Sequence, residues 1–308
     1  MAGMLLSEMA KQLNDGVQKA VIETFAEQPL LGVIPFEDVV GGGRRYNQEQ
    51  SLPGIAFRNI NGSYTPSNGV LNPVFDPLKI GGGEIDVDQA AVQMGLDRAV
   101  QEAMKLKALR KRLAKVWIKG DSQTTAAEID GLQVRIPSGS TQLVAAGGTA
   151  NGDALSLFKL DSLIAAVDDP THLLMSKAEM ARLNAAAHTP AVGGYITVTP
   201  DQFGFPVVRY QGLPIIEVGR DDTDTEILAF NEACPGGGTD TGTSIYCVSF
   251  CDGMLTGIQS QAPQVDDFGI ISASPVYRTR IEWLVGMSVM HPRSIGRLYG
   301  ISNAPVVV

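Results

Sequence analysis

Cysteine and histidine are scarce in this chain of 308 residues, and their scarcity argues against several kinds of site. The three cysteines, Cys234, Cys247 and Cys251, cannot all pair within one chain. We therefore predict no disulfide framework and a reducing compartment. Histidine also occurs only three times, and no two histidines stand at a metal-ligand spacing. The sequence predicts no metal site and no bound cofactor.

Signatures of catalysis are also missing. No Gly-x-Ser-x-Gly nucleophile elbow occurs. The glycine-rich stretch 236–244 resembles a phosphate loop, but it lacks the required lysine and precedes a predicted strand rather than a helix. The acidic run 222–226 is interpreted as a solvated turn, with weak cation binding as the alternative. We predict that the protein has no catalytic residues and is not an enzyme.

Long apolar runs and a basic charge balance are absent as well. No window approaches 18 apolar residues, and polar residues interrupt the apolar start of the chain at once. These patterns predict no membrane span and no signal peptide, hence a soluble protein made in the cytoplasm. The net charge of −9 argues against a protein that wraps nucleic acid with a basic surface.

The most informative stretch is a polar, extended segment enclosed by two glycine triplets. Asn-Gly pairs at 61–62 and 68–69 indicate turns, and three prolines exclude a central strand. We predict a two-stranded β arm at 44–84, with a disordered loop as the alternative. The triplets are predicted to act as hinges because glycine has the widest backbone freedom: Gly41, Gly42 and Gly43, and Gly81, Gly82 and Gly83.

An arm without a core of its own must pack on something else. We hypothesise that it packs on neighbouring copies of the same chain, through polar residues near its root and apolar residues along its length. The predicted subunit contacts are Arg44, Arg45, Tyr46, Gln48, Glu49, Phe57, Arg58, Phe75 and Lys79.

Helical periodicity is strongest directly after the arm. Apolar residues at three- and four-residue spacing predict one long helix over 88–119, with a basic cluster in its C-terminal half. The cluster is interpreted as a solvated face with intersubunit ion pairs, and a nucleic-acid patch is the alternative. A second amphipathic pattern predicts a helix over 6–25, either in the core or laid on a neighbour.

The remaining pattern is of α/β type. The Gly/Ser/Thr-rich connection 138–153 is a plausible domain boundary. Helices are predicted at 157–167 and 177–187, the second opened by a capping box at Ser176 and Glu179. Strands are predicted at 172–175, 195–199, 206–210, 213–218, 227–230, 244–250 and 277–287.

Several of these stretches resemble major capsid proteins of tailed double-stranded-DNA bacteriophages. The stretches that carry the resemblance are 23–25, 30–38, 45–58, Gly120-Asp121, Asp130-Gly131-Leu132, and Trp283 with Gly286. The order of the predicted elements is also similar over nearly the whole chain.

The resemblance implies an α+β fold of the Hong Kong 97 capsid type. Its parts would be an N-terminal arm (1–43), an extended β-hairpin called the E-loop (44–84), a peripheral domain with a long spine helix (85–139 and 266–308), and an axial domain (140–265). Some relatives join an E-loop lysine covalently to a neighbour's asparagine, and Lys79 with Asn303 would be the candidates here.

The resemblance further implies self-assembly through hexamers and pentamers into an icosahedral shell around phage DNA, which the shell would contact non-specifically. A separate scaffolding protein and a portal would be partners, with a decoration protein as a further candidate. The product would be a virion capsid assembled in the cytoplasm of a bacterial host. Three alternatives stay open: an encapsulin-type compartment, a soluble α/β enzyme, and a β-rich tail protein.

Overall fold

The computed structural model describes residues 28–95, 98–188, 194–200, 206–237, 241–272 and 274–307. The helix predicted at 6–25, and with it most of the predicted N-terminal arm, lies outside these residues. The described part mixes helices with several sheets, as the sequence predicts. Within this part, none of the helices has both the length and the apolar character that a membrane span requires.

The described part of the chain contains six α-helices, one 3-10 turn and fourteen strands. The α-helices are α1 (Pro29–Val33), α2 (Gln89–Gln93), α3 (Arg98–Lys119), α4 (Leu132–Arg135), α5 (Leu157–Ala166) and α6 (Lys177–Ala187), with a 3-10 turn at Pro292–Ser294. The strands are β1 (Phe36–Asp38), β2 (Gly43–Ser51), β3 (Val70–Pro77), β4 (Lys79–Asp88), β5 (Leu143–Ala145), β6 (His172–Met175), β7 (Ile196–Pro200), β8 (Pro206–Tyr210), β9 (Leu213–Glu217), β10 (Thr243–Val248), β11 (Leu255–Gln259), β12 (Gln264–Ile270), β13 (Val276–Val289) and β14 (Ile295–Ile301).

These strands form three sheets. A five-stranded sheet has the order β1-β11-β13-β12, and β4 also pairs with β13. A seven-stranded sheet has the order β5-β14-β10-β6-β9-β8-β7. The strands β2 and β3 pair only with each other among the described residues, so they form the predicted two-stranded arm.

Strand β13 shows why the five-stranded sheet forms. Trp283 and Val285 are buried on one face, where they contribute to the core beneath α3. Arg278 and Arg280 point to the other face, towards acidic residues of the antiparallel neighbour β4. The alternation expected of a half-buried strand is therefore confirmed.

The long helix is shorter than predicted. The pattern predicts one helix over 88–119, but the structure divides it into α2 and α3. Gly95, which follows the end of α2, has a φ of +100°, a conformation that glycine adopts readily and that ends an α-helix. Periodicity of apolar residues continues across this break, which is why the pattern alone missed it.

Two hydrophobic cores are described. The first lies around α3 and the five-stranded sheet and contains Trp117, Phe36 and Trp283, with the Phe36 ring in contact with both tryptophan rings. The second lies between α5, α6 and the seven-stranded sheet and contains Leu160 and Leu183. The capping box prediction for α6 is confirmed in part, because the Ser176 hydroxyl accepts a hydrogen bond from the Glu179 amide.

One predicted strand is wrong and five strands were not predicted. Residues 227–230 form turns, and their apolar pattern arises because Ile227 and Leu228 are buried in the first core. The unpredicted strands are β1, β5, β11, β12 and β14. The strands β11 and β14 are buried along most of their length, so they lack the polar–apolar alternation that identifies a half-buried strand.

Strand pairing crosses the predicted domain boundaries, as β11 and β14 show. Strand β11 lies in the same sheet as β13, although the predicted axial domain extends to residue 265. Strand β14 lies in the seven-stranded sheet, although the predicted peripheral domain includes 266–308. The division into domains remains a prediction, and these pairings favour placing β11 with the peripheral part and β14 with the axial part.

Candidate functional site

The arm is an antiparallel hairpin whose side chains alternate between two faces. Arg45 is opposite Phe75, and Glu49 is opposite Leu71. Residues that are opposite each other in an antiparallel pair share a face, and successive residues along a strand point to opposite faces. Arg45, Asn47 and Glu49 are exposed, whereas the residues between them are half-buried. We call these the outward and the inward face of the hairpin.

The inward face binds the rest of its own chain. Arg44 forms a 2.5 Å ion pair with Glu37. The Tyr46 hydroxyl lies 2.7 Å from the backbone oxygen of Val289, and Gln48 donates to the same oxygen at 3.0 Å. Three of the predicted subunit contacts, Arg44, Tyr46 and Gln48, are therefore engaged within their own chain, and any contact they make with a neighbour remains a prediction.

A buried carboxylate completes the root of the hairpin. The Asp76 side chain has no exposed surface, and its Oδ1 lies 2.6 Å from Nη1 of Arg135 in α4. Its Oδ2 lies 2.9 Å from the Tyr46 hydroxyl. Burial, and then the charge of Asp76, raise the pKa of Tyr46 well above its ordinary value. The sequence did not reveal that Asp76 pairs with Arg135, because the two residues are 59 positions apart. The one available signal was a charged residue, Asp76, between Phe75 and Pro77 in a predicted strand.

The outward face is available to a partner. The guanidinium of Arg45 lies 5.3 Å from the centre of the Phe75 ring, at cation–π distance. About half of the Phe75 surface is exposed, at 47%. Glu49 is exposed two residues further along β2. The predicted contacts Arg45, Glu49 and Phe75 thus lie together on one surface.

The outer part of the arm, which includes the first residues of β3, carries many apolar side chains that are open to solvent. Every residue from 51 to 73 is exposed. Phe57 has its whole side chain in solvent, and Arg58 stays close to the turn, where it donates to the Gly62 oxygen and lies over the Tyr64 ring. An apolar segment of this kind marks an interaction surface. The large apolar residues exposed in this part of the arm are Leu52, Ile55, Phe57, Ile60, Tyr64, Val70 and Leu71.

The two glycine triplets differ in their surroundings. Gly41 and Gly42 have φ values of +95° and +79° and precede the hairpin. Gly81, Gly82 and Gly83 lie inside β4, where they pair with β13, and the hairpin ladder has already ended at Pro77. A pivot at the second triplet would have to break these pairs. The hinge roles of both triplets remain predictions.

Lys79 and the basic cluster of α3 are bound within the chain. The Lys79 ammonium donates to the backbone oxygen of Ala126 at 2.7 Å. The α3 residues Lys111, Arg112, Lys115 and Lys119 form ion pairs with acidic residues of the same chain. These four residues are therefore engaged within their own chain, and the expected intersubunit ion pairs remain a prediction.

The acidic run 222–226 is exposed at 222–225, as expected of a solvated turn, and the aspartate that precedes it takes part in this pairing. Asp221 is buried and accepts hydrogen bonds from Lys115 and from the backbone of Thr223 and Thr225. Burial would raise the pKa of Asp221, but the hydrogen bonds from Lys115 and Thr223 hold that pKa well below its usual range. The carboxylate therefore holds a lysine of α3 against the turn.

No cluster of metal-binding side chains is found among the described residues. Groups of three or more His, Cys, Asp or Glu that could hold a metal ion are absent from that part of the chain. Cys234 and Cys247 are buried, and burial raises the pKa of Cys247 to about 12, so its thiol is unreactive. The feature of the described chain that is built for contact is the hairpin with its apolar end.

No family model and no curated protein matches the sequence, but many solved structures have a similar fold. The holo-SrpI encapsulin complex of Synechococcus elongatus has a TM-score of 0.63 at 17% identity and covers 91% of this chain and 89% of its own. The capsid of a native GTA particle has a TM-score of 0.63 at 15% identity, covering 90% and 91%. A chain of Mycobacterium phage Bobi has a TM-score of 0.56 at 13% identity, covering 89% of each.

These similarities confirm the predicted fold. The chain has the Hong Kong 97 type fold of major capsid proteins, and the matches span nearly all of it. The similar structures named here come from shells and capsids of both the encapsulin and the phage type. At these identities the likeness concerns the fold alone.

Proposed function

We propose that the protein is a major capsid protein that self-assembles through hexamers and pentamers into an icosahedral shell enclosing a phage double-stranded DNA genome. One observation carries the proposal: in a chain with a capsid fold, the arm exposes an apolar segment that no described part of its own chain covers. A second copy of the chain would bury that segment.

The energetics fit assembly by many copies. Burying a few hundred Å² of apolar surface per arm, at roughly 25 cal/mol per Å², contributes several kcal/mol before entropic costs are subtracted. One such contact is weak. A closed shell repeats it in every subunit, so the contacts reinforce one another.

An encapsulin-type compartment is the second candidate, because the encapsulin complex matches as well as the GTA capsid, with the same TM-score of 0.63. Both candidates are shells built from copies of one chain. They differ in content, since a phage shell holds DNA and a compartment holds protein cargo.

Electron microscopy of the purified protein tests both. Closed shells would support assembly, and small monodisperse particles would contradict it. Shells purified from infected cells and treated with nuclease should retain protected double-stranded DNA if the phage proposal is correct. Shells that contain protein cargo and no protected DNA would favour the compartment.

A deletion identifies the segment responsible. Replacing residues 52–69 by a short glycine–serine turn removes exposed residues only, so the fold should persist while shells are lost. A larger deletion of 47–79 would also remove Asp76 and the start of β4, so it would damage the fold itself. A shorter arm that still forms wild-type shells would contradict the proposed contact.

The proposed partners follow from the same assignment. Assembly in the cytoplasm of a bacterial host, with a scaffolding protein, a portal and a decoration protein, belongs to the phage proposal. Packaged DNA would be contacted without sequence preference. Co-purification of shells from infected cells, followed by mass spectrometry of the bound proteins, tests these partners directly.

A further inference from the structure

The root of the hairpin, residues 43–48 and 72–77, is bound to the rest of the described chain, here called the body, by side chains of the inward face. Arg44 binds Glu37, and Tyr46 and Gln48 both reach the end of β13 at Val289. These three residues lie at alternate positions of β2, so all three point to the same side.

The strongest tie is the buried pair of Asp76 and Arg135. The Asp76 carboxylate has no exposed surface and contacts both the Arg135 guanidinium and the Tyr46 hydroxyl. Swinging the root away from α4 would leave a buried carboxylate without its charged partner, which is strongly unfavourable. The root therefore resists rotation.

The packing at the first paired residue agrees with this. A Cβ atom added to Gly43 would lie 2.4 Å from the backbone oxygen of Asp76 and 2.7 Å from the Phe75 ring. The two strands are thus in close contact where the hairpin starts, and this contact leaves no room for them to slide past each other.

These ties end at Gln48. The ladder shifts register between Glu49 and Ser51, and a shift of this kind kinks a hairpin locally. The last pair of the ladder joins Ser51 to Val70. Every residue between them, 52–69, is exposed. Among the described residues, the outer part of the arm, 52–69, therefore has no packing against the rest of the chain that would fix its direction.

We infer that Asp76, Arg135, Tyr46 and Gln48 form a latch that fixes the root of the arm to the body, and that the outer part, 52–69, bends at the register shift at 49–51. The moving element is then shorter than the predicted arm, and its pivot lies at neither glycine triplet. The outward face, with Arg45 and Phe75, keeps one orientation and is preorganised for a partner. The apolar end, 52–69, changes its direction to fit the surface it contacts.

Hydrogen exchange followed by mass spectrometry on the full chain tests this inference. The protein is kept dilute, and light scattering confirms that particles are absent. In the wild type, the hydrogen-bonded amides of 44–48 should exchange at least about 100-fold more slowly than those of 52–69. The boundary between slow and fast exchange should fall at 49–51.

Three variants probe the latch itself. Asp76→Asn, Tyr46→Phe and Gln48→Ala should each speed exchange of 44–48 by about tenfold or more, because each removes an inward contact. Asn47→Ala, on the outward face of the same strand, is the matched control and should leave the rate unchanged. If Asp76→Asn fails to fold, Tyr46→Phe and Gln48→Ala still test the latch, because each removes only one neutral side-chain group.

Two results would overturn the inference. The first is wild-type exchange of 44–48 as fast as that of 52–69, which would mean that the arm moves as one body. The second is wild-type rates for 44–48 in all folded latch variants. Shell formation does not enter either readout, so the latch can fail while the proposed function stands, or the reverse.

Discussion

Lys119 Nζ, at the last residue of α3, lies 2.9 Å from Oε1 of Glu232, a buried carboxylate in the segment before β10. Arg297 of β14 binds the other oxygen of Glu232 at 2.9 Å, and the Ser244 hydroxyl donates to that same oxygen. One carboxylate thus joins the long helix to the seven-stranded sheet.

We expect Glu232→Gln to destabilise the fold by about 2 to 4 kcal/mol, because it leaves Lys119 and Arg297 as neighbouring cations without a counter-charge. Denaturant unfolding measures the change. Asp222→Asn makes the same chemical change at an exposed position and should be nearly neutral. Equal effects of the two variants would contradict the role given to Glu232.

The same carboxylate should contribute to acid sensitivity. Burial alone would raise the pKa of Glu232, but the charges of Lys119 and Arg297 hold it below its usual value of 4.5. A carboxylate with a lowered folded-state pKa stabilises the fold above its unfolded pKa, and this contribution is lost as pH falls through the folded value. Between pH 7 and pH 3, wild-type stability should fall more steeply than that of Glu232→Gln.

Glu179 should show the opposite dependence on pH. Burial raises its pKa to about 7, and the nearby Arg182 offsets this only in part. The raised pKa favours the protonated folded state, so the contribution is complete below pH 4.5 and is lost as pH rises to about 7. We expect wild type to lose about 1 to 3 kcal/mol between pH 5 and pH 8 relative to Glu179→Gln. Parallel stability curves for the two proteins would show that Glu179 keeps an ordinary pKa.

Gly82 should be intolerant of a side chain. A Cβ atom at this position would lie 2.4 Å from the backbone oxygen of Ile281 in β13, and neither strand can move away without breaking the ladder. We expect Gly82→Ala to cost about 1 to 3 kcal/mol in thermal or denaturant unfolding. Gly148→Ala, where a Cβ would meet nothing within 4 Å, is the control. A neutral Gly82→Ala would mean that β4 is not held tightly against β13.

Phe57 should matter for assembly and hardly at all for folding. Its side chain is fully exposed, so Phe57→Ser should change the free energy of unfolding by less than about 0.5 kcal/mol. Shell yield, measured by sedimentation and electron microscopy, should drop sharply, since the proposed contact loses its largest apolar group. Phe158→Ser removes an exposed phenylalanine from α5 and should give a higher shell yield than Phe57→Ser. An equal drop in both variants would argue against a specific role of the arm.

Local patterns were sufficient for the elements that depend on neighbouring residues. Turn dipeptides and prolines predicted the hairpin, strict alternation predicted β13, and the serine before α6 predicted its start. Sequence patterns failed to predict strands that are buried on both faces. They also failed to predict a helix end that depends on the backbone angle of one residue. The fully buried β11 shows no alternation, and Gly95 ends a helix within an uninterrupted apolar stripe.

Composition and short-range spacing were enough to predict the arm, its apolar residues and the scarcity of histidine and cysteine. Which arm residues face the rest of the chain could be seen only in the folded protein, since the choice between alternate positions depends on what lies beneath the strand. The tertiary structure also pairs Asp76 with Arg135 and Lys119 with Glu232. Such pairs join residues 59 and 113 positions apart, and an ion pair leaves no periodic signal in the chain that could reveal it.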